Sequence, residues 1–163
     1  MDAAMRAAID QKNARLTRAI RANGWMIQYV GGEGCQRPGC DCADETAFAY
    51  TIGLFGMGHP ELLVLGLRID PTMELLGELC EQIRNGEQLV PGVAVTARCH
   101  EVVPEEVPNP GEIVFYANDF YQRPPQFSVP VLQLTYADDL GRFPWDDGCE
   151  VAHLQPRPGT FRG

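Results

Sequence analysis

At 163 residues the chain is long enough for one self-sufficient core, and 45% hydrophobic with 21% charged residues excludes a disordered polymer. A formal net charge of -9 and a pI near 4.7 argue against electrostatic binding to nucleic acid or an anionic membrane. No apolar run approaches the roughly 20 residues of a membrane span.

The start, Met1-Asp2-Ala3-Ala4-Met5-Arg6, lacks a basic region followed by an apolar one, so no secretory signal is expected. The six cysteines are therefore expected in a reducing cytoplasm, where metal binding or free thiols are favoured over disulfides. Residues Ala3 to Asn23 read as a helix with Met5, Ile9, Leu16 and Ile20 along one face and Asn23-Gly24 as its stop. Trp25 to Val30 reads as a first strand. A loop rich in glycine, with three cysteines, follows up to Cys42.

Phe48 to Leu67 then reads as two apolar strands joined by a glycine-rich turn, with Pro60 confined to the start of the second. Asp70-Pro71 is expected to cap and open a helix whose buried stripe is Met73, Leu76, Cys80 and Ile83, widened by Leu75 and Leu79. Val93 to Val103 reads as one strand, Pro104 to Gly111 as a connecting loop, and Ile113 to Tyr116 as a short strand. Asn118 to Gln126 reads as an aromatic loop, Pro130 to Tyr136 as a strand, and the polar segment after Val151 as a loosely held tail. This order predicts a single α+β domain over 1–163: an N-terminal helix (1–23), a core (24–150) and a polar tail (151–163). One central helix and the N-terminal helix are expected to pack on a largely antiparallel sheet.

Two blocks resemble a known family. Ala49-Tyr50-Thr51-Ile52-Gly53-Leu54, then Gly58-His59-Pro60-Glu61-Leu62 and Gly66-Leu67, is similar to the signature of the bacterial domain-of-unknown-function family 4262. Pro130-Val131-Leu132-Gln133-Leu134, Asp138 and Gly141-Arg142-Phe143-Pro144-Trp145 resemble its C-terminal block. With Gly24-Trp25 the resemblance spans roughly residues 24 to 150. Where similar sequences have Trp-Pro-Asp after the glutamine strand, this one has Tyr136-Ala137-Asp138. The resemblance implies a fold relative and brings no established activity.

Three constellations can carry chemistry. Cys35, Cys40 and Cys42 offer soft thiolates on a pliable loop, the donor type that zinc takes. A fourth ligand is then needed, with Cys149, His153, His59, Cys99 and His100 as candidates. Free or redox-active thiols and an iron–sulfur cluster are the alternatives. His59 and Glu61 lie two apart at a strand entrance, where alternation places both on one face. They can serve as a base or a metal pair in a hydrolytic cleft. The bland reading is a turn-capping histidine and a glutamate paired to an arginine such as Arg68. Asp138, Asp139, Asp146 and Asp147 surround a glycine-containing turn, where a solvated turn is favoured over a hard-cation site.

Phe115, Tyr116, Phe120, Tyr121 and Phe127 are expected to form the second half of the core, the alternative being a small-molecule pocket with Tyr50. Ser128 is the only serine, which disfavours serine hydrolase chemistry. A flavin-binding reading of the hairpin and helix lacks a basic phosphate cradle. The leading expectation is a zinc-binding cytoplasmic domain that takes a small-molecule or protein partner. The alternative is a metal-assisted or His59/Glu61-dependent hydrolase.

Overall fold

The computed structural model describes residues 2–31 and 46–163. Cys35, Cys40 and Cys42 lie outside the described residues.

The first helix, α1 (Ala3–Asn23), is set by its ends. Asp2 Oδ1 accepts from the Met5 amide at 2.7 Å, and Gly24 takes φ 90° while its N–H donates to Ile20 O at 2.7 Å, a left-handed stop that glycine adopts without strain. Leu16 is buried and Ile20 packs beside it. Met5 and Ile9 on the same stripe are exposed, because the N-terminal turns run past the edge of the core.

The strands β1 (Met26–Val30), β2 (Phe48–Ile52), β3 (Glu61–Leu65), β4 (Val95–Ala97), β5 (His100–Glu106) and β6 (Val131–Tyr136) form one six-stranded sheet, ordered β1-β2-β3-β6-β5-β4. All neighbours are antiparallel except β3 and β6, so the fold is α+β with a mostly antiparallel sheet. Strands β2, β3 and β6 are buried along their whole length, as apolar runs covered on both faces should be. On one face Ala49, Leu62, Val64, Leu132 and Leu134 meet α2 (Ile69–Arg84). On the other, Tyr50, Ile52, Leu63, Leu65 and Val131 meet α1 and the short α3 (Phe115–Phe120). Among the described residues no helix is long and apolar enough to cross a membrane.

Several elements differ from the sequence reading. Helix α2 begins one residue before Asp70, which sits in its first turn instead of at the cap position, Arg68. Met73 is exposed, and Thr72 turns inward with Leu75, Leu76, Leu79, Cys80 and Ile83. The stretch 93–103 is a hairpin, β4 to β5, turned through Arg98 at φ 55°. Strand β5 continues through Pro104; beyond the Val95–Val102 pair no strand lies on its outer side, where the Pro104 carbonyl accepts the Gly92 amide at 2.8 Å, and a proline is tolerated at such an edge position. Residues 113–116 are helical at their end, not extended, since Ile113, Val114 and Ala117 reach the core with helical spacing. The aromatic cluster divides. Phe120 and Tyr121 pack on the core, while Phe115, Tyr116 and Phe127 are exposed.

The segment after Val151 is firmly packed, contrary to its polar composition. Gln155 is buried and pairs with the Tyr136 backbone. Arg157 grips both oxygens of Glu105 at 2.8 and 2.7 Å. The Phe161 ring meets Phe48 edge-on with centroids 5.0 Å apart. Polar side chains hold this segment because each reaches a backbone group or a carboxylate of the sheet.

Candidate functional site

The signature residues gather at the two ends of β3. At its start, the β2–β3 ladder ends at the Tyr50–Leu63 pair, and side chains take over. Thr51 Oγ1 accepts the Leu62 amide at 2.9 Å and donates to Glu61 Oε2 at 2.6 Å. Glu61 also accepts the Gly53 and Phe55 amides on Oε1 at 2.9 and 3.1 Å, and the Leu54 amide on Oε2 at 3.3 Å. Consecutive amides of a tight turn make a small anion nest, and the carboxylate fills it. Gly53 makes the turn possible: its φ is 129°, and a Cβ there would collide with the Gly24 carbonyl oxygen.

Glu61 has no exposed surface. Burial pushes its carboxyl from 4.5 up to about 6, against the pull of the Thr51 hydroxyl and the three amides. Burial and then the charge of Glu61 raise the Tyr121 phenol to about 12. The Cys80 thiol of α2 is pushed well up by burial, with Glu61 adding to it.

His59 faces elsewhere. Its Nε2 accepts the Leu89 amide at 3.1 Å, which leaves Nδ1 as the donor to Pro60 O at 2.7 Å. The ring is 5% exposed and neither nitrogen is open to a metal or a substrate proton. Strand alternation misleads here because β3 starts only at Glu61, so His59 belongs to the turn. His59 and Glu61 thus face different partners, the histidine pinning the α2–β4 connection and the glutamate the β2 turn, and among the described residues no arginine pairs with Glu61.

The other end of β3 collects the remaining donors. Gly31 packs against Ala47, Ala47 O accepts the Gly66 amide at 2.7 Å, and Gly66 in turn lies against Leu154. Gly31 and Thr46 are the described residues nearest in sequence to Cys35 and Cys42, and His153 precedes Leu154 in the chain. His153 is exposed. Beyond Leu67, a cavity of about 440 Å³ is lined by Cys99, His100, Tyr136, Asp138 and Glu150 among others. Cys99 is exposed, with Sγ 3.9 Å from His100 Nδ1. Cys149 is half-buried and donates its thiol to Arg142 O at 3.2 Å. Among the described residues alone, no group of three His, Cys, Asp or Glu side chains is arranged to hold a metal. His59 stands at the opposite end, roughly 13 Å away along the four residue steps of β3 alone.

The acidic turn is a hydrogen-bonded knot. Asp138 Oδ1 accepts the Leu140 and Arg142 amides at 3.0 and 2.9 Å, and Oδ2 accepts Arg142 Nε and the Glu150 amide at 2.9 and 3.1 Å. Asp146 accepts the Phe143 amide at 2.9 Å. Desolvation raises the Asp138 carboxyl, but these donors outweigh it and hold it down at about 2. With its lone pairs already engaged, Asp138 serves as the staple of the turn.

A family model, DUF4262 (domain of unknown function), matches residues 19–150. The chain belongs to this family. No curated protein and no solved structure matches it. The DUF4262 region contains the whole sheet, the Thr51–Glu61 nest, His59, the three loop cysteines, Asp138 and Cys149. His153, Gln155 and Arg157 lie beyond it, although Gln155 and Arg157 bond to it. Thr51, Tyr121 and Gln155 are the site residues that sequence reasoning missed. One signal for the first was present: a glutamate opening a strand of Leu and Val (Glu61 to Leu65) must be buried, and a buried carboxylate must find donors nearby.

Proposed function

We propose that this chain is a zinc-binding domain in which Cys35, Cys40 and Cys42 supply three thiolates and the C-terminal end of β3 supplies the fourth ligand. The observation that supports the reading is the contact chain Gly31–Ala47–Gly66–Leu154, which joins the residues flanking the cysteine segment in sequence to the chain neighbour of His153. Covalent geometry supports it: Cys35 is four residues from Gly31 and Cys42 four from Thr46, so each is within roughly 14 Å of that residue. His153, exposed and one residue from Leu154, is the favoured fourth ligand, and Cys149 is the second choice. His59 is the least favoured of the candidates, since both its nitrogens are engaged. A zinc ion bound there would contribute to folding directly. Thiolate ligation suits a reducing compartment, the cytoplasm. The cavity beside Cys99 and His100 is of a size for a small polar molecule, which makes a small molecule the favoured partner.

The hydrolytic alternative at the His59–Glu61 turn has less in its favour, because the carboxylate is buried and the imidazole occupied.

The test is elemental analysis of protein purified without chelator, alongside Cys40→Ser, His153→Ala and Cys149→Ser. One zinc per wild-type chain is expected, absent in Cys40→Ser and weakened in His153→Ala. Wild-type protein that holds none after refolding with zinc would remove the reading. Absorption in the visible would point to an iron–sulfur cluster instead.

A further inference from the structure

Glu61 is the most enclosed carboxylate of the described chain, at 0% exposed, and its surroundings are almost entirely donors. No ion pair among the described residues reaches it. The two oxygens are not equivalent. Oε1 accepts two amides at 2.9 and 3.1 Å, whereas Oε2 has the hydroxyl of Thr51 at 2.6 Å and only the long Leu54 bond at 3.3 Å.

A proton arriving at this carboxylate needs an oxygen to accept it, and of the two hydroxyls beside Glu61, those of Thr51 and Tyr121, Thr51 holds the short bond. On Oε1 it would confront two N–H groups. On Oε2 it faces Thr51 Oγ1, whose hydroxyl can rotate and whose second lone pair can accept, the first being taken by the Leu62 amide. We propose that Thr51 and Glu61 form a buried proton switch that sets the hydrogen-bond state of the β2–β3 turn. In the charged state Thr51 donates to Glu61 and all three turn amides are satisfied. In the neutral state the Thr51–Glu61 bond reverses, the Thr51 hydroxyl proton turns away from the carboxyl, Oε1 keeps Gly53 and Phe55, and Leu54 N–H is left on a protonated oxygen, a poorer acceptor. The turn that follows, Phe55 to Met57, is thereby loosened at one of its three ties to Glu61.

The other titratable or charged groups facing this point are Cys80 from α2 and Tyr121 after α3, with Arg123 over the Phe55 ring and His59 in the same turn. The first two titrate far above neutrality, for the reasons given above, and arginine keeps its charge throughout. His59 is followed separately, because Leu89 N–H is bonded to its ring.

The experiment is an amide NMR titration of the full chain from pH 4.5 to 8. The Gly53, Leu54 and Phe55 amides are expected to titrate together with a midpoint about 6, as the carboxyl does, with hydrogen exchange at Leu54 faster on the acid side. Thr51→Val, which removes the reversible partner but keeps the shape, should displace that midpoint, and Glu61→Gln should abolish the titration. Should Glu61→Gln fail to fold, the wild-type titration and Thr51→Val still decide. Flat amide shifts, a midpoint at the ordinary glutamate value, a titration confined to Leu89, or a midpoint unmoved in Thr51→Val would each overturn the proposal.

Discussion

Gln155 lends its side-chain amide to the backbone of Tyr136 as a neighbouring strand would: Oε1 accepts the Tyr136 N–H and Nε2 donates to the Tyr136 C=O, both at 2.9 Å. The end of β6 is buried, and its last residue would otherwise carry unpaired polar groups, each costing free energy. A short polar segment thus completes the sheet.

Gln155→Ala is expected to lower unfolding stability by roughly 1–3 kcal/mol, the cost of leaving buried groups unsatisfied. Gln155→Glu keeps the shape but sets a carboxylate oxygen against the Tyr136 carbonyl, so it should destabilise at neutral pH and recover on acidification. Denaturant midpoints at two pH values check both. Midpoints equal to wild type in the two variants would show that the segment is dispensable.

His59 joins the turn before β3 to the segment after α2 through Leu89 N–H. Its removal unpairs one amide and one carbonyl, so His59→Ala should cost roughly 2 kcal/mol and, on the proposed ligand set, leave the zinc content unchanged. Urea unfolding with parallel elemental analysis reads both. Full stability with loss of metal would assign the imidazole to a metal after all.

Asp138 gives the fold a dependence on acid. Its folded carboxyl lies at about 2 and its ordinary value is 3.8. A depressed carboxyl contributes stability that is complete above the ordinary value and is lost as pH falls through the folded one. Thermal unfolding between pH 5 and pH 2 should therefore show a fall of Tm below about 4 that is reduced in Asp138→Asn, which begins from a lower Tm. A variant with an unaltered acid limb would place the titrating group elsewhere.

The two long helices and the buried strands were legible from local pattern: Leu75, Leu76, Leu79, Cys80 and Ile83 repeat at helical spacing, and an apolar run such as Leu62 to Leu65 has no place except inside a sheet. The cap at Gly24 was legible because few residues other than glycine tolerate that backbone. Beyond these, local pattern stops informing. Four apolar residues, Ile113 to Tyr116, suit a strand or a helix equally, and only the position of the core under Ala117 chose the helix. His59 and Glu61 are neighbours in the chain, yet they face different partners, because the strand that would align them begins after Pro60. The hold of Gln155 on Tyr136, of Arg157 on Glu105, and of Thr51 on Glu61 joins residues 19, 52 and 10 positions apart. A sequence shows which donors and acceptors exist, but pairing them requires chain segments to be brought within about 3 Å, and that is a property of the packed sheet alone.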